Sequence, residues 1–231
     1  LLPFLINLRN MLQVLVSADQ RYGPVMNYGV ACAIIHSLHQ AGYDLRARRP
    51  IVVLGSSGGG QLAVGASLYL RHITGAPIFV ISLGGVIASD PWLDAIAHLY
   101  HLYGTRDRVQ ALADIVFPGR WPGAVGSAWR RAREEGRVTL VALGPFEHNL
   151  HRHYFDDAAR MPDGATYLDT TVEAIGAIVD GIIAGEPAPN EARRAVAGGE
   201  RRGRPYAAAA RASIRATARA TPSSARMASP S

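Results

Sequence analysis

The chain has 231 residues, 48% of them hydrophobic, with a mean hydropathy of +0.07. This length and apolar content allow a full hydrophobic core, which excludes a disulfide-stapled miniprotein and a wholly disordered chain. One cysteine cannot form an internal disulfide framework or a zinc site with several thiolates. The net charge of +6 is uneven, because residues 191–231 carry nine Arg and two Glu, whereas residues 1–190 carry 15 Arg and 16 acidic residues. A basic tail on a nearly neutral domain is weak support for a nucleic-acid partner, and we predict none.

The N-terminal part of the chain is predicted to be helical. Apolar residues at helical spacing between positions 4 and 16 favour an amphipathic helix, although residues 12–16 also fit a strand. A turn is expected at residues 22–24, because they read Tyr-Gly-Pro. A second helix is expected at residues 30–41, which a glycine follows.

Four short apolar runs predict strands, and each is followed by a glycine. The first two have the pattern of strands that are buried on both faces in a parallel sheet. The runs are residues 51–54, 78–83, 98–103 and 138–143. Helices are expected between and after them, at residues 61–71, 107–116, 124–135 and 170–183. Strands that alternate with helices predict an α/β domain with a mostly parallel sheet flanked by helices, in which ligands bind where the strands end.

The composition changes after Gly185. A linker with two prolines at residues 186–190 is followed by Ala, Arg, Gly, Ser and Pro, with hardly any large apolar side chains. Such a segment cannot bury enough surface to offset its ordering entropy. We therefore predict a domain at residues 1–185 and a disordered Ala/Arg-rich tail at residues 186–231.

A candidate nucleophile follows the first predicted strand. Gly55-Ser56-Ser57-Gly58-Gly59 fits the pattern G-x-S-x-G, with Ser57 as its serine. A serine in so tight a strand-to-helix turn takes a strained backbone that projects its Oγ above the sheet, and glycines two residues away on each side avoid steric collision. The N–H of Gly58 then faces a developing oxyanion at the positive end of the helix dipole. The alternative is a glycine-rich turn that packs tightly or binds phosphate, although neither G-x-G-x-x-G nor GK[ST] occurs.

A serine nucleophile needs a base, and the base needs an orienting acid. Asp107 follows the third predicted strand, and His148 follows the fourth. The chain therefore carries Ser57, Asp107 and His148 in that order, each just after a strand. This order predicts that the three side chains meet at one edge of the sheet.

Each of these residues has a competitor in the sequence. Asp90 follows the second strand and is a rival acid, while Asp107 could simply cap the helix after it. His151 and His153 are rivals of His148 as the base. The spacing of these three histidines could also offer imidazoles to a metal ion, although no cysteine accompanies them.

The ordered combination of G-x-S-x-G, Asp107 and His148 resembles the α/β-hydrolase fold superfamily over roughly residues 30–183. In that family the nucleophile follows the fifth strand, the acid the seventh and the histidine the eighth. The resemblance implies that Ser57 is the nucleophile, that His148 is the general base and acid, and that Asp107 is the orienting carboxylate. It implies one oxyanion donor at Gly58 and no cofactor or metal.

The chain departs from the family pattern ahead of the serine. The family has several strands there, whereas only about 50 residues precede the motif, and they contain no His-Gly motif for a second oxyanion donor. Either the first strands lie upstream of Leu1, or the chain is a pared-down version of the fold. We expect the former, a piece of a longer member, which would leave an unpaired sheet edge prone to association. Polar residues interrupt the apolar stretch at residues 1–18, so we predict no transmembrane helix, and membrane association would need sequence upstream of Leu1.

These patterns and the resemblance lead to one expected function. We expect a serine hydrolase that cleaves an ester or thioester of a small molecule through an acyl-enzyme intermediate. Apolar side chains dominate the segments around the motifs, which favours an apolar acid as the acyl part. The alternatives are a non-catalytic α/β-hydrolase-like binding protein and an inactive piece of a larger hydrolase that could be attached to a membrane.

Overall fold

The computed structural model describes residues 2–149 and 151–186. The strands are β1 (Ile51–Ser56), β2 (Ile78–Leu83), β3 (His98–Gly104) and β4 (Val138–Gly144). The helices are α1 (Leu2–Ala18), α2 (Gly23–Gln40), α3 (Gly58–Thr74), α4 (Ala113–Val116), α5 (Ala128–Glu134) and α6 (Tyr167–Ala184). Short 3-10 helices lie at Pro91–Ala95, Gln110–Leu112 and Pro118–Arg120. The predicted tail lies outside the described residues, apart from its first residue.

The four strands form one parallel sheet in the order β1-β2-β3-β4. Ile51 lies opposite Ile78, and Phe79 lies opposite His98, so neighbouring strands pair from near their first residues onward. The carboxyl ends of all four strands therefore meet at one edge of the sheet. This confirms the predicted α/β class and the parallel sheet.

Helices cover both faces of the sheet, because alternate residues of each strand point to opposite sides. On one face, Ile78, Val80 and Leu99 pack with residues of α2, α3 and α5. On the other face, Ile81 and Leu83 pack with residues of α6 and of the segment before it. The loops at the strand ends are thus carried on a sheet with a hydrophobic core on each side.

Strand β1 differs from its prediction. Ile51 is buried as expected, but Leu54 is 42% exposed. The reason is the position of the strand, because within the described residues β1 pairs with β2 alone and forms an edge of the sheet. The prediction of burial on both faces is therefore wrong for Leu54.

The first two helices run closer together in sequence than predicted. The helix at residues 4–16 is confirmed as α1, and the turn expected around residues 22–24 lies slightly earlier, at residues 20–22, because α2 already begins at Gly23. Pro24 fits the first helical turn, where its missing N–H leaves no hydrogen bond unmade. Ser17 Oγ donates to Asn27 Oδ1 at 2.7 Å and ties the two helices together. No helix in the described part of the chain is long and apolar enough to span a bilayer.

The segment after β3 is less helical than predicted. The expected helix at residues 107–116 is wrong over most of its length, because the segment forms a turn, the 3-10 helix Gln110–Leu112 and only one turn of α-helix, Ala113–Val116. Asp107 accepts hydrogen bonds from the N–H groups of Val109 and Gln110. This side-chain capping favours a tight turn over a regular helix start.

Candidate active site

Ser57 lies in a strained turn between β1 and α3. Its φ of 53° and ψ of −126° are unusual for a residue with a side chain, and such a backbone costs on the order of 1–3 kcal/mol. Three backbone hydrogen bonds hold it: the Ser57 N–H donates to Leu83 O, and Ser57 O accepts from the N–H groups of Gly60 and Val86. The strain expected from the motif is therefore present.

The glycines around Ser57 differ in how much space a side chain would have. A Cβ on Gly55 would lie 2.3 Å from the carbonyl oxygen of Gly59, and a Cβ on Gly60 would lie 2.7 Å from Ser82 Oγ. A Cβ on Gly59 would meet nothing within 4 Å. The expectation that glycines two residues away on both sides avoid a collision is correct for Gly55 and wrong for Gly59. The close approach on the helix side occurs at Gly60.

Ser57, His148 and Asp107 form a continuous hydrogen-bonded chain. Ser57 Oγ donates to His148 Nε2 at 2.8 Å, and His148 Nδ1 donates to Asp107 Oδ2 at 2.8 Å. A carboxylate only accepts hydrogen bonds, so it fixes the hydrogen on Nδ1 and leaves Nε2 free to accept. The structure thus brings together the three residues singled out in the sequence, with the imidazole in the tautomer that can take a proton from the serine.

The Asp107 carboxylate is fully enclosed, with its side chain 0% exposed. Burial alone would raise its pKa, but hydrogen bonds from His148 and Tyr154, together with the backbone N–H of Gln110, hold the pKa below its usual value. Asp107 therefore stays ionised beside the imidazole. It also caps the turn after it through Val109 and Gln110, so the contacts with the imidazole and with the turn occur together.

Tyr154 is a member of this network that sequence reasoning missed. Its hydroxyl donates to Asp107 Oδ2 at 2.7 Å and accepts from the Gly104 N–H at 2.9 Å. Burial, reinforced by the neighbouring carboxylate, raises the pKa of Tyr154, so the hydroxyl keeps its hydrogen. The residue lies 47 positions from Asp107 in a segment without a motif, and no sequence signal pointed to it.

Two of the three rival residues have other partners, and the third, His151, is exposed. Asp90 accepts from Gln61 Nε2 at 3.0 Å and from the Trp92 N–H at 3.0 Å, and burial raises its pKa to about 6. His153 Nδ1 accepts from the Phe155 N–H at 3.1 Å. Within residues 2–149 and 151–186, no group of three or more His, Cys, Asp or Glu side chains is arranged to hold a metal ion.

Two further histidines are buried in β3. His98 is hydrogen-bonded to Thr139 Oγ1 at 2.8 Å. His101 Nε2 donates to Gln110 Oε1 at 3.3 Å, and its Nδ1 accepts from Ser82 Oγ at 3.2 Å. Burial lowers the pKa of both imidazoles to about 4, so they are neutral at physiological pH. They are hydrogen-bonded residues of the core.

A cleft of about 200 Å³ opens at Ser57. Helix α1 forms one wall of it, and the turn between β1 and α3 forms the other. Its lining residues are Asn10, Gln13, Ser56, Ser57, Gly58, Gly59 and Leu62. A larger cleft of about 520 Å³ lies elsewhere, between the segment after β2 and the start of α5. Only the smaller cleft contains the candidate nucleophile.

Comparisons with known proteins complete the description of the site. No protein-family model, no curated protein and no solved structure matches the chain.

Proposed function

We propose that the protein is a serine hydrolase that cleaves an ester or thioester through an acyl-enzyme intermediate. The observation that carries this proposal is the hydrogen-bonded chain from Ser57 Oγ through His148 to Asp107. A serine hydroxyl that donates to an imidazole, itself oriented by a buried carboxylate, is the arrangement that activates serine for acyl transfer.

The proposed reaction has two steps, acylation of Ser57 and hydrolysis of the acyl-enzyme. Ser57 Oγ attacks the substrate carbonyl carbon while His148 Nε2 takes its proton, and Asp107 stabilises the resulting imidazolium. As the tetrahedral intermediate collapses, His148 gives that proton to the leaving alcohol or thiol, and the acyl group stays on Ser57. Water then attacks the acyl-enzyme with the same histidine as base, which releases the acid and restores the serine.

The first helical N–H groups of α3 supply the electrostatic support for the oxyanion. Gly58 is the first residue of α3 and lines the cleft beside Ser57. Helix N-terminal N–H groups have no intrahelical partner and lie at the positive end of the helix dipole. The Gly58 N–H therefore serves as an oxyanion donor.

The proposal extends to the finer fold. We propose an α/β-hydrolase-like arrangement in which β1, β3 and β4 correspond to the strands that carry nucleophile, acid and histidine, with further strands upstream of Leu1. The support is the placement of Ser57, Asp107 and His148 after β1, β3 and β4, together with the unpaired outer edge of β1 within the described sheet. The substrate class, a small-molecule ester or thioester, follows from the reaction type and from the modest cleft.

The test is the hydrolysis of p-nitrophenyl acetate, a thioester analogue and labelling by a fluorophosphonate probe. Ser57→Ala should abolish labelling and lower kcat by several powers of ten, because the nucleophile is lost. Ser56→Ala is the matched control, since it removes a hydroxyl one residue away and should leave labelling intact. Equal activity in the wild type and Ser57→Ala would refute the proposal and favour a non-catalytic binding protein.

A further inference from the structure

The described residues ahead of β1 form α1, α2 and their connections. Tetrahedral intermediates of acyl transfer are stabilised by preorganised donors, and Gly58 accounts for one of them. Among the described residues ahead of β1, a second donor therefore lies on a helix rather than in a strand loop. Helix α1 is the one that reaches the cleft.

Helix α1 lies directly against the turn that carries Ser57. A Cβ on Gly58 would lie 2.8 Å from Val14 Cγ2, so the helix approaches the oxyanion donor as closely as a glycine allows. Val14 is buried, and Ser17 near the end of α1 is fixed to Asn27 by two hydrogen bonds. The packing of Val14 and the hydrogen bonds of Ser17 thus hold α1 in place next to the residues that line the cleft.

We propose that the side-chain amide of Gln13 is the second oxyanion donor. Gln13 lines the cleft with Ser57 and Gly58, and its amide supplies an uncharged N–H donor. It is half-buried, whereas Asn10, which also lines the cleft, is exposed. A donor is worth most where water is excluded, which favours Gln13 over Asn10. This inference rests on the proposed hydrolase function and adds a catalytic residue to it.

The test compares kcat and KM for p-nitrophenyl acetate in Gln13→Met and Gln13→Glu. Loss of one oxyanion donor should lower kcat about 10²–10³-fold with KM changed only a few-fold, because the contact forms in the transition state. Gln13→Glu keeps the shape of the side chain but replaces the donor with a carboxylate that repels the oxyanion, so its loss should be at least as large. Gln40→Met, at the exposed end of α2, is the matched control and should retain full kcat.

The outcomes separate this inference from the proposed function. If wild-type turnover depends on Ser57 but Gln13→Met and Gln13→Glu keep full kcat, the assignment of Gln13 is wrong while the hydrolase stands. A loss in Asn10→Leu that equals or exceeds the loss in Gln13→Met also overturns it. If wild-type turnover does not depend on Ser57, both proposals fall together. A purely structural role for Gln13 would lower the thermal midpoint and spare kcat in the isosteric Gln13→Glu.

Discussion

Replacing Gly55, Gly59 and Gly60 by alanine, one at a time, tests the packing of the turn at Ser57. At Gly55 the new Cβ would lie 2.3 Å from Gly59 O and 2.5 Å from Gly59 C, so the first turn of α3 must move by about 0.7 Å to restore a 3.0 Å contact. The obstructing atoms are backbone, and no side-chain rotation relieves them. Overpacking of this kind costs about 1–3 kcal/mol of unfolding free energy.

The same displacement affects the chemistry. The turn that must move carries the Gly58 N–H and Ser57 itself, and a shift of about 1 Å in a catalytic group can cost on the order of 10²-fold in rate. Gly60→Ala should also be destabilising, because its Cβ would lie 2.7 Å from Ser82 Oγ and 3.2 Å from Gly85 Cα. Gly59→Ala meets no such contact, and alanine favours a helix over glycine by up to about 1 kcal/mol.

Urea unfolding and ester hydrolysis on the three purified variants measure both effects. We expect Gly59→Ala to match or exceed the wild type in stability and to keep its kcat, whereas Gly55→Ala loses both stability and turnover. Gly59→Ala serves as the internal control, since it makes the same chemical change two residues from Ser57. The steric reasoning would be refuted if Gly59→Ala were as damaging as Gly55→Ala.

Three further predictions concern the carboxylates and their partners. Asp107→Asn should lower kcat about 10⁴-fold in ester hydrolysis, because an amide no longer fixes the imidazole tautomer; an unchanged kcat would remove Asp107 from the mechanism. Tyr154→Phe should lower the unfolding free energy in urea by about 1–3 kcal/mol, because the Gly104 N–H and the Asp107 carboxylate each lose a hydrogen-bond partner. The same variant should shift the acid limb of the kcat/KM profile to higher pH. Burial raises the folded-state pKa of Asp90 to about 6 from 3.8, so the folded state binds the extra proton and stability falls as pH rises from about 4 to 6. The fall relative to Asp90→Asn should be on the order of 3 kcal/mol by urea unfolding at several pH values, and parallel pH profiles of the two proteins would contradict it.

The strands were the part of the fold most readily predicted from sequence. Residues 78–83 form β2 with the predicted bounds, because a continuous β-branched and apolar run between glycine and proline signals leaves little choice. The segment at residues 107–116 was mispredicted, since its apolar spacing suits a helix while Asp107 caps a tighter turn. The start of α2 at Gly23 was missed because Gly-Pro signals a turn and also suits a helix N-terminus.

The residues of the candidate site also differ in whether the sequence could predict them. Ser57, Asp107 and His148 could be singled out because each follows a strand, and parallel strands bring their carboxyl ends together. Tyr154 and Gln13 could not, since their relation to the site depends on tertiary packing over 47 and 44 residues of chain rather than on a local pattern. The steric requirement at Gly60 likewise depends on Ser82 of the neighbouring strand.

The three side chains of the candidate site follow three strands, and two of these strands, β1 and β4, are edges of the described sheet. His148 follows β4, which within the described sheet pairs with β3 alone, whereas Ser57 is held through β1 and α3 on the far side. Fraying of β4 would carry the imidazole away from Ser57 while the rest of the sheet stayed paired, because edge strands open at lower free energy than central ones. If the proposed hydrolysis takes place at this site, turnover would be lost on warming before the fold melts, and it would then report partial unfolding.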